Sequence, residues 1–263
     1  MLANTLYCIE NLMITMDKKI IVANWKMNKT LPEAIAAAKQ LKGSHKLDIV
    51  IAPPNVTLAP LSKILSPKSI KLAAQNTHFA DWGNYTGEIS PPMLKSCGCN
   101  YVMIGHHERR SQFKEDEDTI NSKILVSLSY KLKVILCVGE TSTAIKNNIG
   151  IEYIAMQLAR NLYKVRSFKD VIIVYQPVWA IKSMLNVDLE YISKMAKYIK
   201  TFVRKNFVAS AKVLYGGDVN QDNCKSILGI KYLDGAMVEN HSLDPRLFNK
   251  IIKAITTNQT KAI

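Results

Sequence analysis

The sequence lacks several features that would mark a membrane protein, a dinucleotide-binding sheet or a zinc module. None of its apolar runs approaches the roughly 18 residues that a bilayer span needs. No Gly-x-Gly-x-x-Gly motif follows the first apolar run, at 20–24. The Cys-Gly-Cys at 97–99 has no second Cys/His pair at ligand spacing, so we expect no metal. Linkers, low-complexity tracts and internal repeats are also missing, which favours one continuous domain.

The amino-terminal segment carries no recognisable targeting signal. It has no basic region and it contains Glu10, which fits neither a secretory signal nor an Arg-rich transit peptide. We therefore interpret residues 1–15 as a leader that is non-native or disordered, and residues 16–263 as the folded domain. The five cysteines are an odd number, and we expect buried free thiols in a reducing cytoplasm.

The charge is strongly positive, with 35 Lys and Arg against 21 Asp and Glu, a net charge of +14. Such a field favours anionic ligands and non-specific contact with nucleic acid. The basic residues are scattered, however, and no basic run is interleaved with aromatics. We therefore expect a solvated lysine-rich surface and no nucleic-acid partner.

Short apolar runs alternate with longer amphipathic stretches along the chain. Helical periodicity is clearest at 31–42, 118–128 and 188–199. Strands that are almost continuously apolar and alternate with helices are typical of a parallel sheet covered by helices. Eight such units predict an α/β fold, a single-domain (β/α)8 TIM barrel. The predicted strands are 20–24, 47–52, 70–75, 101–105, 132–137, 171–175, 212–216 and 234–238.

Polar side chains follow the carboxyl ends of these strands, where barrel enzymes place their chemistry. A lysine, a histidine and carboxyl-type side chains at one mouth indicate chemistry on an anionic, carbonyl-bearing substrate. Taken singly, each residue fits a turn or a surface ion pair as well as it fits a functional site. Their joint placement at the strand ends favours a functional site. The residues are Asn24, Lys26, His106, His107, Glu108, Gln176, Asp218, Glu239 and Asn240.

Long motifs make the chain resemble the triosephosphate isomerase family from Lys19 to about Ala254. The resemblance implies interconversion of glyceraldehyde 3-phosphate and dihydroxyacetone phosphate in glycolysis and gluconeogenesis, through an enediolate and without a cofactor. The motifs are VANWKMN (22–28), AQNTHFADWGNYTGEISPPML (74–94), IGHHERRS (104–111), VILCVGET (134–141), QPVWAI (176–181), YGGDV (215–219) and LDGAMV (233–238).

The resemblance also implies roles for individual residues. Asn24 and Lys26 match substrate-binding positions, and Lys26 supplies positive charge. His106 matches the electrophile that polarises the carbonyl, and Glu108 matches its carboxylate neighbour. His107 replaces a serine of the family pattern.

The loop at 74–90 resembles the family's dimer loop, and nothing in it departs from that pattern. We therefore expect a homodimer, with Thr86 reaching toward the partner's site. The loop residues that carry this prediction are Gln75, Asn76, Thr86, Gly87 and Glu88.

Two departures concern the base and the mobile loop. The family's glutamate base corresponds to Gln176, a neutral amide without usable proton affinity near pH 7, and loss of a general base costs about 10²–10⁴ in rate. The family hinge Ala-Ile-Gly-Thr-Gly reads Ala-Ile-Lys-Ser-Met, so that Lys182 and Met184 replace two glycines. We expect impaired or altered loop closure.

Two further departures affect the predicted phosphate site, which the family forms from the loops after strands seven and eight. Gly216 and Gly217 remain, but Asp218 replaces a serine and Glu239 with Asn240 replaces a glycine pair. A carboxylate about 5 Å from a phosphate charge costs roughly 3 kcal/mol at an effective dielectric of 20. Lys182 could offset part of this cost or pair with Asp218.

These changes predict a family member that has lost or nearly lost the isomerase reaction, whose ligand, if any, is a small sugar phosphate. Three alternatives stay open at this point. One is an active isomerase for another small sugar, with Asp218, Glu239 or Glu108 as base and Lys182 as an anion contact. The others are residual triosephosphate isomerase activity and an acquired binding role for nucleic acid or another acidic partner.

Overall fold

Over residues 18–183 and 187–257, which the computed structural model describes, eight parallel strands close into a barrel surrounded by helices. The leader assigned to residues 1–15 lies outside these ranges. The strands are β1 (Lys19–Asn24), β2 (Leu47–Ala52), β3 (Lys71–Ala74), β4 (Tyr101–Ile104), β5 (Lys133–Val138), β6 (Val171–Tyr175), β7 (Lys212–Tyr215) and β8 (Gly235–Val238). The α-helices are α1 (Leu31–Gln40), α2 (Leu58–Leu65), α3 (Pro91–Ser96), α4 (His107–Gln112), α5 (Glu117–Ser129), α6 (Ser142–Lys146), α7 (Gly150–Asn161), α8 (Val178–Ser183), α9 (Leu189–Phe207), α10 (Cys224–Leu228) and α11 (Pro245–Thr256).

The first and last strands close the barrel. Val22 of β1 pairs with Val50 of β2 on one side and with Met237 of β8 on the other. Closure leaves no unpaired strand edge. The predicted (β/α)8 fold is confirmed, and the predicted strand bounds differ by at most one residue at an end. For example, β4 ends one residue early because Gly105 adopts a left-handed backbone with φ of 71°.

The core has two layers, because successive strand residues point to opposite faces of the sheet. The outward-facing residues pack against the helices, so both faces of every strand are apolar. This double burial explains the almost continuous apolar runs of the sequence. The interior layer consists of Ile20, Val22, Val50, Ala52, Ala73, Tyr101, Met103, Ile135, Cys137, Ile172, Val174, Leu214 and Met237.

The helices bury one stripe against the sheet. In α9 the buried residues Ile192, Met195, Ala196, Ile199 and Val203 follow the helical repeat. This helix continues past the predicted end at residue 199, until a left-handed residue at 208 stops it. In the described part of the chain, no helix combines the length and apolarity needed to cross a membrane.

Gly139 allows the end of β5 to lie against the end of β6. A Cβ atom there would lie 1.6 Å from the backbone oxygen of Gln176. The two segments cannot separate easily, since the Gln176 N–H donates to the oxygen of Val138 at 2.8 Å. Gly139 is therefore required for the position of Gln176.

We expect Gly139→Ala to lower the free energy of unfolding by about 1–3 kcal/mol or more, because the added methyl forces a backbone shift. Urea titration followed by circular dichroism measures the change. Gly150→Ala is the matched control: its Cβ would meet the movable end of Ile145 at 3.2 Å and would make ordinary van der Waals contacts with Glu140 at 3.6 and 3.8 Å. Equal stability of the Gly139→Ala variant and the wild type would contradict this account of packing.

Candidate functional site

The carboxyl ends of β1, β4, β6 and β8 bring five predicted site residues into contact. Asn24, Lys26, His106, Gln176 and Glu239 form one cluster at the barrel mouth. Asn24, His106 and Gln176 are buried. The barrel topology brings these residues together, because β1 and β8 are neighbours in the closed barrel although they are far apart in sequence.

The carboxylate of Glu239 lies at the centre of the cluster. Its Oε2 is 2.7 Å from Lys26 Nζ, and its Oε1 is 2.9 Å from His106 Nε2. The amide of Asn24 donates to Oε1 at 3.4 Å. Glu239 therefore contacts Asn24, Lys26 and His106, to which the sequence analysis assigns substrate binding and polarisation of the carbonyl. It does not face only the loops that are assigned to the phosphate site.

His106 is oriented by the start of α4. As the residue that caps this helix, it accepts the backbone N–H of Glu108 at Nδ1, at 3.4 Å. With Nδ1 as acceptor, Nε2 carries the hydrogen and donates it to Glu239. The same Nε2 would face a substrate carbonyl in the role predicted for His106.

Lys26 is held in place through its backbone as well as its charge. It adopts a left-handed conformation with φ of 51°. Its N–H donates to Asn24 Oδ1 at 3.0 Å, and its oxygen accepts from Gln75 Nε2 at 2.9 Å. Its ammonium also lies 3.0 Å from Glu108, so one cation faces two carboxylates.

These contacts shift the pKa values of Glu239 and Lys26 in opposite directions. Burial acts to raise the pKa of Glu239, but the hydrogen bond from His106 and the ammonium of Lys26 outweigh it and lower the pKa to about 2. Burial acts to lower the pKa of Lys26, but Glu239 and Glu108 outweigh it and raise the pKa. Both groups are therefore charged at neutral pH.

Gln176 is buried at the end of β6, with 1% of its surface exposed. Its amide nitrogen lies 3.1 Å from His106 Nε2, and its Oε1 has no hydrogen-bond partner among the described residues. Gly216 makes room for it, because a Cβ there would lie 3.0 Å from Gln176 Cγ. A neutral amide at this position cannot accept a proton near pH 7.

His107 packs its ring on His106, with 4.5 Å between ring centroids. Burial, followed by the neighbouring His106, lowers the pKa of His107 to about 4, so the ring is neutral at pH 7. His106, His107 and Glu108 offer ligand atoms within 4.8 Å of one another. However, Lys26 already supplies the positive charge beside Glu108, and we assign no metal to this group.

Asp218, Asn240 and Gly217, which the sequence analysis assigns to the phosphate site, lie outside this cluster. Asp218 is exposed; it accepts from Asn220 at 3.0 Å, and its other oxygen is 4.0 Å from His241. Asn240 is also exposed, and Gly217 is buried under Tyr215. For Lys182 only the backbone is described, as part of α8, and Met184 lies outside the described residues, so a Lys182–Asp218 pair stays a prediction.

Some of the dimer-loop residues are anchored at the start of the loop, and the others are exposed at its tip. Gln75 also donates to the oxygen of Ala52 at 2.8 Å, and Asn76 accepts from the buried Lys123 at 2.9 Å. Thr86, Gly87 and Glu88 are exposed at the tip of the loop. Gln75 thus joins this loop to the backbone of Lys26, a link that the sequence does not reveal.

Glu140 is a residue that the sequence analysis did not single out. It is fully buried, and its Oε1 accepts from Tyr175 at 2.8 Å, Trp179 at 2.9 Å and Tyr191 at 3.2 Å. These bonds fix the chain on both sides of Gln176. Its place directly after β5 in the VGET motif was the available signal.

Removal of the Glu239 charge should change the acid sensitivity of the fold. The folded-state pKa lies below the ordinary value of 4.5, so the stabilisation is complete above about pH 4.5 and is lost as the pH falls toward 2. Between about pH 6 and about pH 3 we expect the wild type to lose roughly 2 kcal/mol more than Glu239→Gln. Urea titrations across pH measure this, with Asp222→Asn as an exposed control. Parallel curves for wild type and Glu239→Gln would contradict the ion pair.

Comparison with known proteins gives a consistent result. The sequence model of the family described as triosephosphate isomerase matches residues 19–255. The triosephosphate isomerase of Thermodesulfovibrio yellowstonii is 42% identical over 245 residues, covering 90% of this chain and 100% of that protein. That of Cytophaga hutchinsonii is 36% identical over 251 residues, covering 91% and 100%. The crystal structure of the Bartonella henselae triosephosphate isomerase superposes with a TM-score of 0.82 at 31% identity, covering 91% and 99%. The chain belongs to the triosephosphate isomerase family.

Proposed function

We propose that this family member has lost, or nearly lost, the interconversion of glyceraldehyde 3-phosphate and dihydroxyacetone phosphate. The observation that carries the proposal is the contact of Glu239 with Lys26 and His106, at 2.7 and 2.9 Å. A carboxylate of the chain holds the cation and the electrophile that an anionic substrate needs.

Neither Gln176 nor Glu239 is a suitable base for proton abstraction from carbon. Gln176 is an amide and cannot accept a proton near pH 7. Glu239 is charged but is a weak base, since its pKa is lowered to about 2. Because a general base works best with a pKa near the operating pH, Glu239 does not replace the missing glutamate. The same argument disfavours Glu239 as the base for an uncharged sugar.

Binding of the substrate is opposed by charge. Lys26 faces Glu108 and Glu239, so the cluster together with Glu108 carries one positive and two negative charges. A phosphate dianion must displace Glu239 from Lys26 or approach it closely. At about 5 Å, each pair of like unit charges costs roughly 3 kcal/mol at an effective dielectric of 20. The loss of affinity and the loss of the base are therefore separate defects.

A series of reversions tests both defects in a coupled assay with glyceraldehyde 3-phosphate. We expect Gln176→Glu to raise kcat/KM by less than about tenfold, because the anion site stays blocked. Gln176→Glu combined with Asp218→Ser, Glu239→Gly and Asn240→Gly should raise it by at least about a hundredfold, as expected for a restored base.

Asp222→Asn is the control for removal of an exposed carboxylate and should leave the rate unchanged. Wild-type turnover within a thousandfold of an ordinary family member would disprove the loss of activity. Large rescue by Gln176→Glu would show that Asp218 and Glu239 do not block binding.

We also propose that the chain forms a homodimer through the loop at 74–90. Its aromatic side chains Phe79, Trp82 and Tyr85 are 42%, 67% and 44% exposed, an apolar surface that favours a partner. The loop is stiff, since Phe79 and Tyr85 both pack on the His78 ring at 4.1 Å. A preorganised loop loses little entropy on association.

Sedimentation equilibrium at micromolar concentration should give the mass of a dimer. Trp82→Asp combined with Tyr85→Asp should give a monomer, because two charges would be buried at the interface. Phe113→Asp changes another exposed aromatic, outside the loop, and should leave the dimer intact. A monomeric wild type would refute the proposal.

We further propose a cytoplasmic location. Cys97, Cys99, Cys137 and Cys224 carry free thiols. Burial raises the pKa of Cys99 to about 12, so this thiol stays protonated and unreactive.

A further inference from the structure

A cavity lies at the opposite end of the barrel from the candidate site. This basic groove has a volume of about 710 Å³ and lies where α3, α5 and α7 end and β5 and β6 begin. Six residues in β5 place its amino end about 20 Å from the barrel mouth. Its basic lining residues are Lys95, Lys131, Lys133, Lys164, Arg166 and Lys169.

The charge of the groove is strongly unbalanced. Its six basic side chains are exposed, and its lining includes one carboxylate, that of Asp170. None of the six forms an ion pair with any described residue. The contacts that they do make are with neutral groups: Lys133 and Lys164 lie over tyrosine rings at 5.6 and 5.2 Å, and Lys95 is 3.5 Å from a carbonyl oxygen.

The helix ends nearby do not balance these cations. The carboxyl termini of α3, α5 and α7 each contribute about half a negative charge. With Asp170 this amounts to about two and a half negative charges against six positive ones. More than three positive charges remain, and a concave surface concentrates their field.

The floor of the groove has a different character from its rim. Leu125, Leu128 and Val165 line it, all partly or fully buried. A ligand that suits both parts carries several negative charges on a flat, less polar body. The volume also falls within the range of about 300–1,000 Å³ that is usual for small-molecule sites. We propose that the basic groove binds a nucleoside polyphosphate, with the phosphates on the lysines and the base on the apolar floor.

Calorimetric titration with adenosine triphosphate tests the proposal on the full-length protein. The groove variant is Lys133→Glu, Arg166→Glu and Lys169→Glu combined, all exposed positions. The matched control reverses three exposed lysines elsewhere, Lys39, Lys63 and Lys253, with the same change in net charge. Circular dichroism confirms that both variants fold.

We expect one nucleotide per chain, binding at least about tenfold weaker to the groove variant and weaker as salt is added. Equal weakening in both variants would overturn the proposal, because the net charge of the protein would then explain the binding without the groove.

Inorganic tripolyphosphate should bind less tightly than adenosine triphosphate. Equal affinity of the two would overturn the proposal that the apolar floor binds the base. Tighter binding of a single-stranded oligonucleotide would overturn the proposal in favour of a polymer. The titration measures nucleotide binding and not isomerase turnover, so its outcome is independent of the proposed loss of isomerase activity.

Discussion

The ion pair between Lys26 and Glu239 organises the mouth of this barrel. Asn24 and Gln75 hold the backbone of Lys26, and its ammonium group requires a nearby negative charge. In this chain the negative group is a side chain from the neighbouring strand end, 2.7 Å away. The same carboxylate accepts the hydrogen of His106, so the ammonium of Lys26 and the imidazole N–H of His106 both have a partner within the chain.

Much of the fold could be predicted from the sequence, because strands buried on both faces produce unmistakable apolar runs. Residues 47–52 and 171–175 have the predicted bounds of their strands. Two of the bounds that shifted depend on single backbone conformations: the left-handed Gly105 after β4 and the left-handed Val208 that ends α9. Such conformations are set by tertiary packing and leave little trace in residue patterns.

The sequence predicted which strand ends carry the site residues, but it did not predict which side chains contact one another. The sequence associated Glu239 with a phosphate loop, yet its side chain turns toward β1, which only barrel closure brings alongside β8. Asp218, assigned to the same phosphate site, stays exposed with Asn220 and His241. Two acidic residues that look equivalent in sequence therefore have different surroundings. Glu239 lies at the centre of the cluster, and Asp218 lies outside it.

A crystal soaked with phosphoglycolate tests the central claim most directly, because that anion resembles the enediolate phosphate of the family reaction. Our account predicts that the Glu239 carboxylate stays on Lys26 and His106 and that no anion is bound beside Gly216 and Gly217. An anion well ordered at those glycines, with the Glu239 side chain displaced toward solvent, would contradict it.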